Sequence, residues 1–183
     1  MAFFQRQGAK CDAVVALLSM RSGDSRPILG GVVCARFSGM LRGDEVDRMT
    51  ERVISCAIEV HRTMGPGLLE SIYQECLLVE LQREGLCVEC ERSVPVDYKN
   101  RRLKSRFAID LLVEGVVIVE VKAIEFVKPV HKAQLISYLK LTNVQAGLLI
   151  NFNNVTLAPG ISRLDHPDRY VRRQGSRDEN PEE

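Results

Sequence analysis

The run Val116-Val-Ile-Val-Glu-Val-Lys-Ala123 sets a carboxylate and an ammonium two residues apart in a stretch otherwise apolar enough for a strand covered on both faces. Side chains alternate along a strand, so Glu120 and Lys122 share a face with Ile118. Burying charge is costly unless the charges are paired or ligate a metal. An ordinary ion pair at a strand end meets that condition as well as an active site does. The segment alone does not choose between them.

Asp110 adds weight to the second reading. It lies inside another apolar run, Phe107-Ala-Ile-Asp-Leu-Leu-Val113. Whether it meets Glu120 depends on the turn between the two strands. A two-residue turn at Glu114-Gly115 pairs Val113 with Val116 and puts Asp110 and Glu120 on opposite faces. A three-residue turn with Gly115 last pairs Leu112 with Val116. Asp110 then faces Ile118, a diagonal neighbour of Glu120 at roughly 7–8 Å between Cα atoms. In that second register both carboxylates reach one cation. Asp plus Glu is hard-oxygen chemistry and suits Mg²⁺ or Mn²⁺, which meet phosphate oxygens directly. Such a metal acidifies a water and neutralises phosphate charge. Lys122 would orient or deprotonate that water, or stabilise the charge that develops. His61, His131 and His166 are scattered and read as surface or packing residues.

Two helical pairs are spaced to join this group. Glu70 and Tyr73 stand at i, i+3, and Gln134 and Tyr138 at i, i+4, so each pair shares a helix face. Either pair alone also fits the polar rim of an amphipathic helix. A basic run, Lys99, Arg101, Arg102, Lys104 and Arg106, surrounds a hairpin turn and could hold phosphates. A solvated turn explains it equally well.

The elements that must position these residues are regular. Thr50 can cap a helix with apolar positions Val53, Ile54, Ala57, Ile58 and Val60, broken at Gly65-Pro66-Gly67. A second helix runs from about Leu68 to Glu84 with Leu69, Ile72, Cys76 and Val79 on its apolar face, and Gly85 stops it. Strand-like runs follow at Cys87–Tyr98, Leu103–Val113 and Val116–Ala123. Pro129 opens a third helix that ends near Leu141. Val144–Phe152 reads as a buried strand, with a last short strand near Ile161. The order ααβββαβ implies an α/β fold, a mixed central sheet flanked by helices.

This pattern defines one domain over residues 49–166 of the 183-residue chain. Residues 1–48 read as a poorly ordered extension, either a targeting segment or a mis-assigned start ahead of Met49, and residues 167–183 as a polar tail. A net charge of +1 means that nucleic-acid contact must come from a local patch. No apolar run reaches the length of a membrane span, so no membrane partner is expected. The placement of the six cysteines argues against disulfides, Cys87-Val-Glu-Cys90 reads as a strand with two thiols, and a reducing, cytoplasmic setting is expected.

Gly67-Leu-Leu-Glu70-Ser-Ile-Tyr73 is a GxxExxY signature, preceded by Val60-His61 and Gly65-Pro66. With Asp110, Glu120-Val-Lys122, Gln134 to Tyr138 and Gly147-Leu-Leu-Ile-Asn-Phe152, the chain resembles the GxxExxY proteins of the PD-(D/E)XK nuclease superfamily over about residues 50–166. The resemblance implies a restriction-endonuclease-like core. It implies a catalytic Asp110, Glu120 and Lys122, and a metal site of Glu70, Asp110 and Glu120 for Mg²⁺ or Mn²⁺. It gives Tyr73, Gln134 and Tyr138 supporting or substrate-contacting roles. Where that branch often has glutamine, this chain has Glu91. The expected function is metal-dependent hydrolysis of phosphodiester bonds in DNA or RNA, with nucleic acid as partner and a homodimer left open. The competing reading is an inactive nuclease-fold module that binds nucleic acid or a protein.

Overall fold

The computed structural model describes residues 42–168. The expected extension up to residue 41 and the tail from 169 lie outside the described residues. Helix α1 spans Gly43–Met64 and α2 Glu70–Arg83. Strands β1 (Val88–Tyr98), β2 (Arg101–Val113) and β3 (Val117–Lys122) follow, then α3 (Pro129–Thr142), β4 (Ala146–Asn151), a single 3₁₀ turn at Ala158–Gly160, and β5 (Ile161–Asp165). The sheet runs in the order β1-β2-β3-β4-β5. Only β3 and β4 pair in parallel, and α3 supplies the crossover that a parallel pair requires. The other neighbours are antiparallel, so the sheet is mixed.

Helix α1 begins before the expected cap. Thr50 lies two turns inside it, is buried, and donates its hydroxyl to the Asp47 carbonyl at 2.7 Å. The helix therefore starts six residues before the expected boundary at residue 49. Val46 is fully buried, and Asp47 pairs with Arg163 of β5, which also donates to Thr50 Oγ1 at 3.0 Å. At the start of the helix, the Arg42 N–H donates to Glu45 at 2.8 Å, satisfying a donor that the helix leaves open.

Helix α2 turns a different face inward from the expected one. Tyr73, Leu77, Leu78 and Leu81 are buried, while Leu69 and Ile72 are exposed. Two apolar stripes on this helix satisfy the 3.6-residue period, and the sheet takes the one that includes the tyrosine.

Every residue of β3 from Val117 to Val121 is buried, so the strand is covered on both faces. On one face Leu135 and Leu139 of α3 pack with Leu112, Ile118 and Leu149. Gly147 of β4 makes this contact close, since a Cβ there would come within 2.8 Å of the Leu135 side chain. The other face is covered by α1 and α2, both of which contact β3.

The β2–β3 register decides where the charges go. Val113 pairs with Val117, Leu112 with Ile118 and Leu111 with Val119. The loop is Glu114-Gly115-Val116, odd in length as the second expected register required but displaced by one residue. The reason is a second left-handed residue: Glu114 (φ 51°) joins Gly115 (φ 71°). Glu114 is held there by Cys87, whose carbonyl accepts its N–H and whose N–H donates to its carboxylate, both at 2.8 Å. Continued by one step, this register sets Asp110 directly opposite Glu120 rather than diagonal to it. Cys56 and Cys76 are free thiols, but Cys87 is disulfide-bonded, against the expectation of reduced cysteines. No helix among the described residues is long and apolar enough to cross a membrane.

Candidate functional site

Glu120 and Lys122 project from the C-terminal end of β3, where the parallel β3–β4 pair ends at Lys122 and Asn151. Asp110 comes from β2 and Glu70 from the first residue of α2. The four side chains meet at the Lys122 ammonium. Its Nζ lies 3.0 Å from Glu120 Oε1, 3.4 Å from Glu70 Oε1 and 4.0 Å from Asp110 Oδ2. It also donates to the Val121 carbonyl at 2.9 Å. Asp110 is fixed separately, since its Oδ2 accepts the Val121 N–H at 2.9 Å.

Burial sets the electrostatics. Glu120 is 4% exposed, and its Oε2 is enclosed with no hydrogen-bond partner. Desolvation, reinforced by the Asp110 carboxylate, pushes the Glu120 carboxyl up to about 7 against the opposing pull of Lys122. Asp110 is also raised by burial, with the Val121 N–H and Lys122 acting against the rise. Burial disfavours charge on Lys122, but the surrounding carboxylates outweigh it and hold the ammonium above its ordinary range. Among the described residues, no group of three or more His, Cys, Asp and Glu side chains forms a ready metal cage. The carboxylates face the ammonium instead. An orphaned carboxylate oxygen beside a second carboxylate still fits a hard cation. Mg²⁺ is ordinarily held by one or two carboxylates, with waters and substrate phosphates completing its shell.

The other expected residues divide. Gln134 Nε2 donates to Tyr138 Oη at 2.6 Å, and the Tyr138 ring stacks on Phe107 of β2 at 4.2 Å between centroids. Burial raises the Tyr138 phenol, and the Glu120 and Asp110 carboxylates add to the rise, so the pair borders the site. Neither residue hydrogen-bonds to Asp110, Glu120 or Lys122.

Tyr73 is fully buried. Its hydroxyl donates to the Gly65 carbonyl at 2.6 Å and accepts the Leu68 N–H at 3.1 Å, fixing the loop that delivers Glu70. Its ring stacks on Phe152 at 4.6 Å, and the Phe152 N–H donates to the Lys122 carbonyl at 2.8 Å.

The basic run stands away from the cluster. The β2–β3 pairing covers only Leu111–Val113, so the hairpin half of the β1–β2 ribbon extends beyond β3. At about 3.3 Å per residue, Arg106 lies roughly 13 Å and Arg101 roughly 30 Å along the strand from Asp110. Lys99, Arg101, Lys104 and Arg106 are exposed, and Arg102 is paired in fork fashion with Asp97 at 3.1 and 3.2 Å. The three histidines serve local contacts: His61 with the Val155 carbonyl, His131 with the Lys128 N–H and His166 with the Asp168 N–H.

Two contributors, Gln74 and Asn151, are not evident from the sequence pattern. Gln74 donates to the Asp110 carbonyl at 3.2 Å, tying α2 to β2 one turn after Glu70, and that i, i+4 spacing is the one signal that could have found it. Asn151, 2% exposed at the end of β4, brackets the chain after Lys122 by bonding both the N–H and the carbonyl of Ile124. Glu91 takes a left-handed conformation (φ 50°) in mid-strand, between the partners of Leu111 and Ile109, and its charge acts on Asp110.

Residues 47–164 match the family model of the PD-(D/E)XK nuclease superfamily. Neither a curated protein nor a solved structure matches the chain.

Proposed function

The chain belongs to the PD-(D/E)XK nuclease superfamily, and on that premise we propose that it is a metal-dependent nuclease acting on DNA or RNA through Asp110, Glu120 and Lys122. The observation that carries this reading is Glu120 Oε2, buried without a partner beside the half-buried Asp110 carboxylate. Buried polar atoms are nearly always satisfied, so an orphan at such a point marks a place for a ligand. Asp110 and Glu120, with Glu70 at the rim, would hold Mg²⁺ or Mn²⁺, which supplies an acidified water and charge neutralisation on the phosphate.

The chain's own residues do the rest. Asp110 is held by the Val121 N–H, so its free oxygen is pre-aimed. Lys122, kept charged by its neighbours, lends positive charge to the phosphate oxygens as the new bond forms and aligns the attacking water. Gln134 and Tyr138 wall the α3 side. Arg101, Lys104 and Arg106 along the ribbon hold phosphates distant from the cleaved bond.

A second reading draws on a different observation. The three carboxylates already share one ammonium, which offsets part of their charge without a metal. That favours an inactive binding module. Cleavage of single- and double-stranded DNA and RNA with Mn²⁺, together with calorimetric metal binding, separates the two. Wild-type cleavage abolished in Asp110→Ala is the expected result. Activity that survives this substitution overturns the mechanism. Nucleic-acid binding without cleavage of any substrate transfers support to the module.

A further inference from the structure

The segment that joins β3 to α3 leaves the site at Lys122 and enters the helix at Pro129. It is pinned at two points. Asn151 bonds the Ile124 N–H at 3.0 Å and the Ile124 carbonyl at 2.7 Å, and Val127 packs against the core beside Ile118 and Leu135. Between these anchors Phe126 is 71% exposed. Val127 turns inward while Glu125 and Phe126 face outward, so Phe126 is held at the surface between anchors on either side. It is presented there. It stands four positions after Lys122, a reach of at most roughly 14 Å.

Its surroundings point to the ligand's chemistry. Lys128 and Lys132 are exposed just beyond it with His131 half-buried between them, and Glu125 is the one acid from residue 123 to 132. Leu69 is 70% exposed immediately before Glu70. An aromatic face with adjacent cations is the arrangement by which proteins hold unpaired nucleotides, the ring stacking on a base while the cations meet the backbone. An intact duplex offers no base face to such a ring.

Resting on the nuclease reading above, we propose that Phe126 is a stacking platform for an unpaired base beside the cleaved phosphate, so that this site selects single-stranded nucleic acid over intact duplex. Lys128 and Lys132 hold the flanking phosphates.

The chain contains no tryptophan, so Phe126→Trp installs a unique fluorophore. With Ca²⁺ replacing Mg²⁺ to block turnover, a fluorescent single strand and the same sequence as a blunt duplex are titrated, anisotropy reporting binding and tryptophan emission reporting stacking. The single strand is expected to quench the emission strongly and the duplex to leave it nearly unchanged. In steady-state cleavage, Phe126→Ala and Phe126→Leu are expected to raise KM for single strands about 10-fold with kcat preserved, while Phe126→Tyr stays near wild type. Unchanged emission at saturating single strand, equal quenching by duplex, no binding of single strands, or a Phe126→Leu variant that behaves as wild type each overturns the proposal. Stacking without cleavage by the wild-type chain would overturn the nuclease reading while leaving the platform in place.

Discussion

The ion pairs Lys122–Glu120 and Arg102–Asp97 are almost equal in length, 3.0 and 3.1 Å. Both join residues of the same sheet. Their carboxylates respond in opposite directions. Asp97 is held below its ordinary range by its hydrogen bond to Arg102. Glu120, with a partner just as near, is pushed up to about 7 by burial and by Asp110. The side chains of the first pair are 14% and 5% exposed, those of the second 66% and 56%. Water screens the outer pair and leaves it a weak surface contact. Desolvation dominates the inner one, where the charges are held in place at a cost that only the fold's other contacts offset.

Activity should break this symmetry most sharply. On the proposed mechanism, Asp110→Ala is expected to lower the cleavage rate by about 100-fold or more, because it removes a carboxylate of the cation site. Asp97→Ala, which deletes a carboxylate from the same two-stranded ribbon, should leave the rate within about twofold. Comparable losses in the two variants, measured on one labelled substrate with Mn²⁺, would mean that the ribbon tip and not the buried cluster governs activity.

Stability should separate the pairs next. Lys122→Met leaves Glu70, Asp110 and Glu120 facing one another without their shared cation, and breaking a buried pair in this way costs about 3 kcal/mol. Arg102→Met releases an exposed pair and should not move the urea midpoint measurably. A metal ion added to the Lys122→Met protein should restore part of the loss, visible as a rise in Tm with Mn²⁺ concentration.

These contrasts also explain what is legible in the sequence. Charges inside apolar strands stand out, so Asp110, Glu120 and Lys122 can be picked from the pattern alone. Their meeting depends on the parity of one turn. The local sequence leaves that parity open because Glu114, a non-glycine residue, adopts its left-handed conformation only through its two bonds to Cys87, 27 residues away. Distance in sequence hides the start of α1 as well. Its first turns are secured by Arg163, 116 residues beyond Asp47. The inward face of α2 differs from expectation because local periodicity supports two stripes and only the packed sheet selects between them. Gln74 and Asn151 look like ordinary polar residues until the backbone groups they satisfy are known. The bulk fold survives such gaps, since the apolar runs are long and their order alone implies a mixed sheet.

The pH dependence of stability gives a smaller effect. Glu120 holds its proton more tightly in the folded chain than in the unfolded one. Between the ordinary glutamate range and about 7, the folded state therefore binds more protons, and stability falls as pH rises through that window. Metal-free protein should show Tm declining between about pH 5 and 8, and Glu120→Gln should flatten the slope. Asp97 has the opposite sign, being lowered, so its contribution is present at neutral pH and lost only in acid. A Tm that rises across the same window and is unaltered by Glu120→Gln would remove the desolvation argument for this carboxyl.

The smallest effect belongs to the exposed ribbon. Arg101, Lys104 and Arg106 lie roughly 13 to 30 Å along β2 from Asp110, so on the proposed reading their substitution should spare the chemical step. Removing any one cation that pairs with a phosphate should instead reduce the steepness of log affinity against log salt by about 1. Replacing all three with alanine should weaken binding at low salt, flatten the salt dependence and leave single-turnover rates at saturating enzyme unchanged. Arg102 is the internal control, because its guanidinium is already committed to Asp97 and its removal should change the slope least. An Arg102→Ala slope change as large as the others' would show that nucleic acid displaces Asp97, and that the outer ion pair is a binding element rather than an inert one.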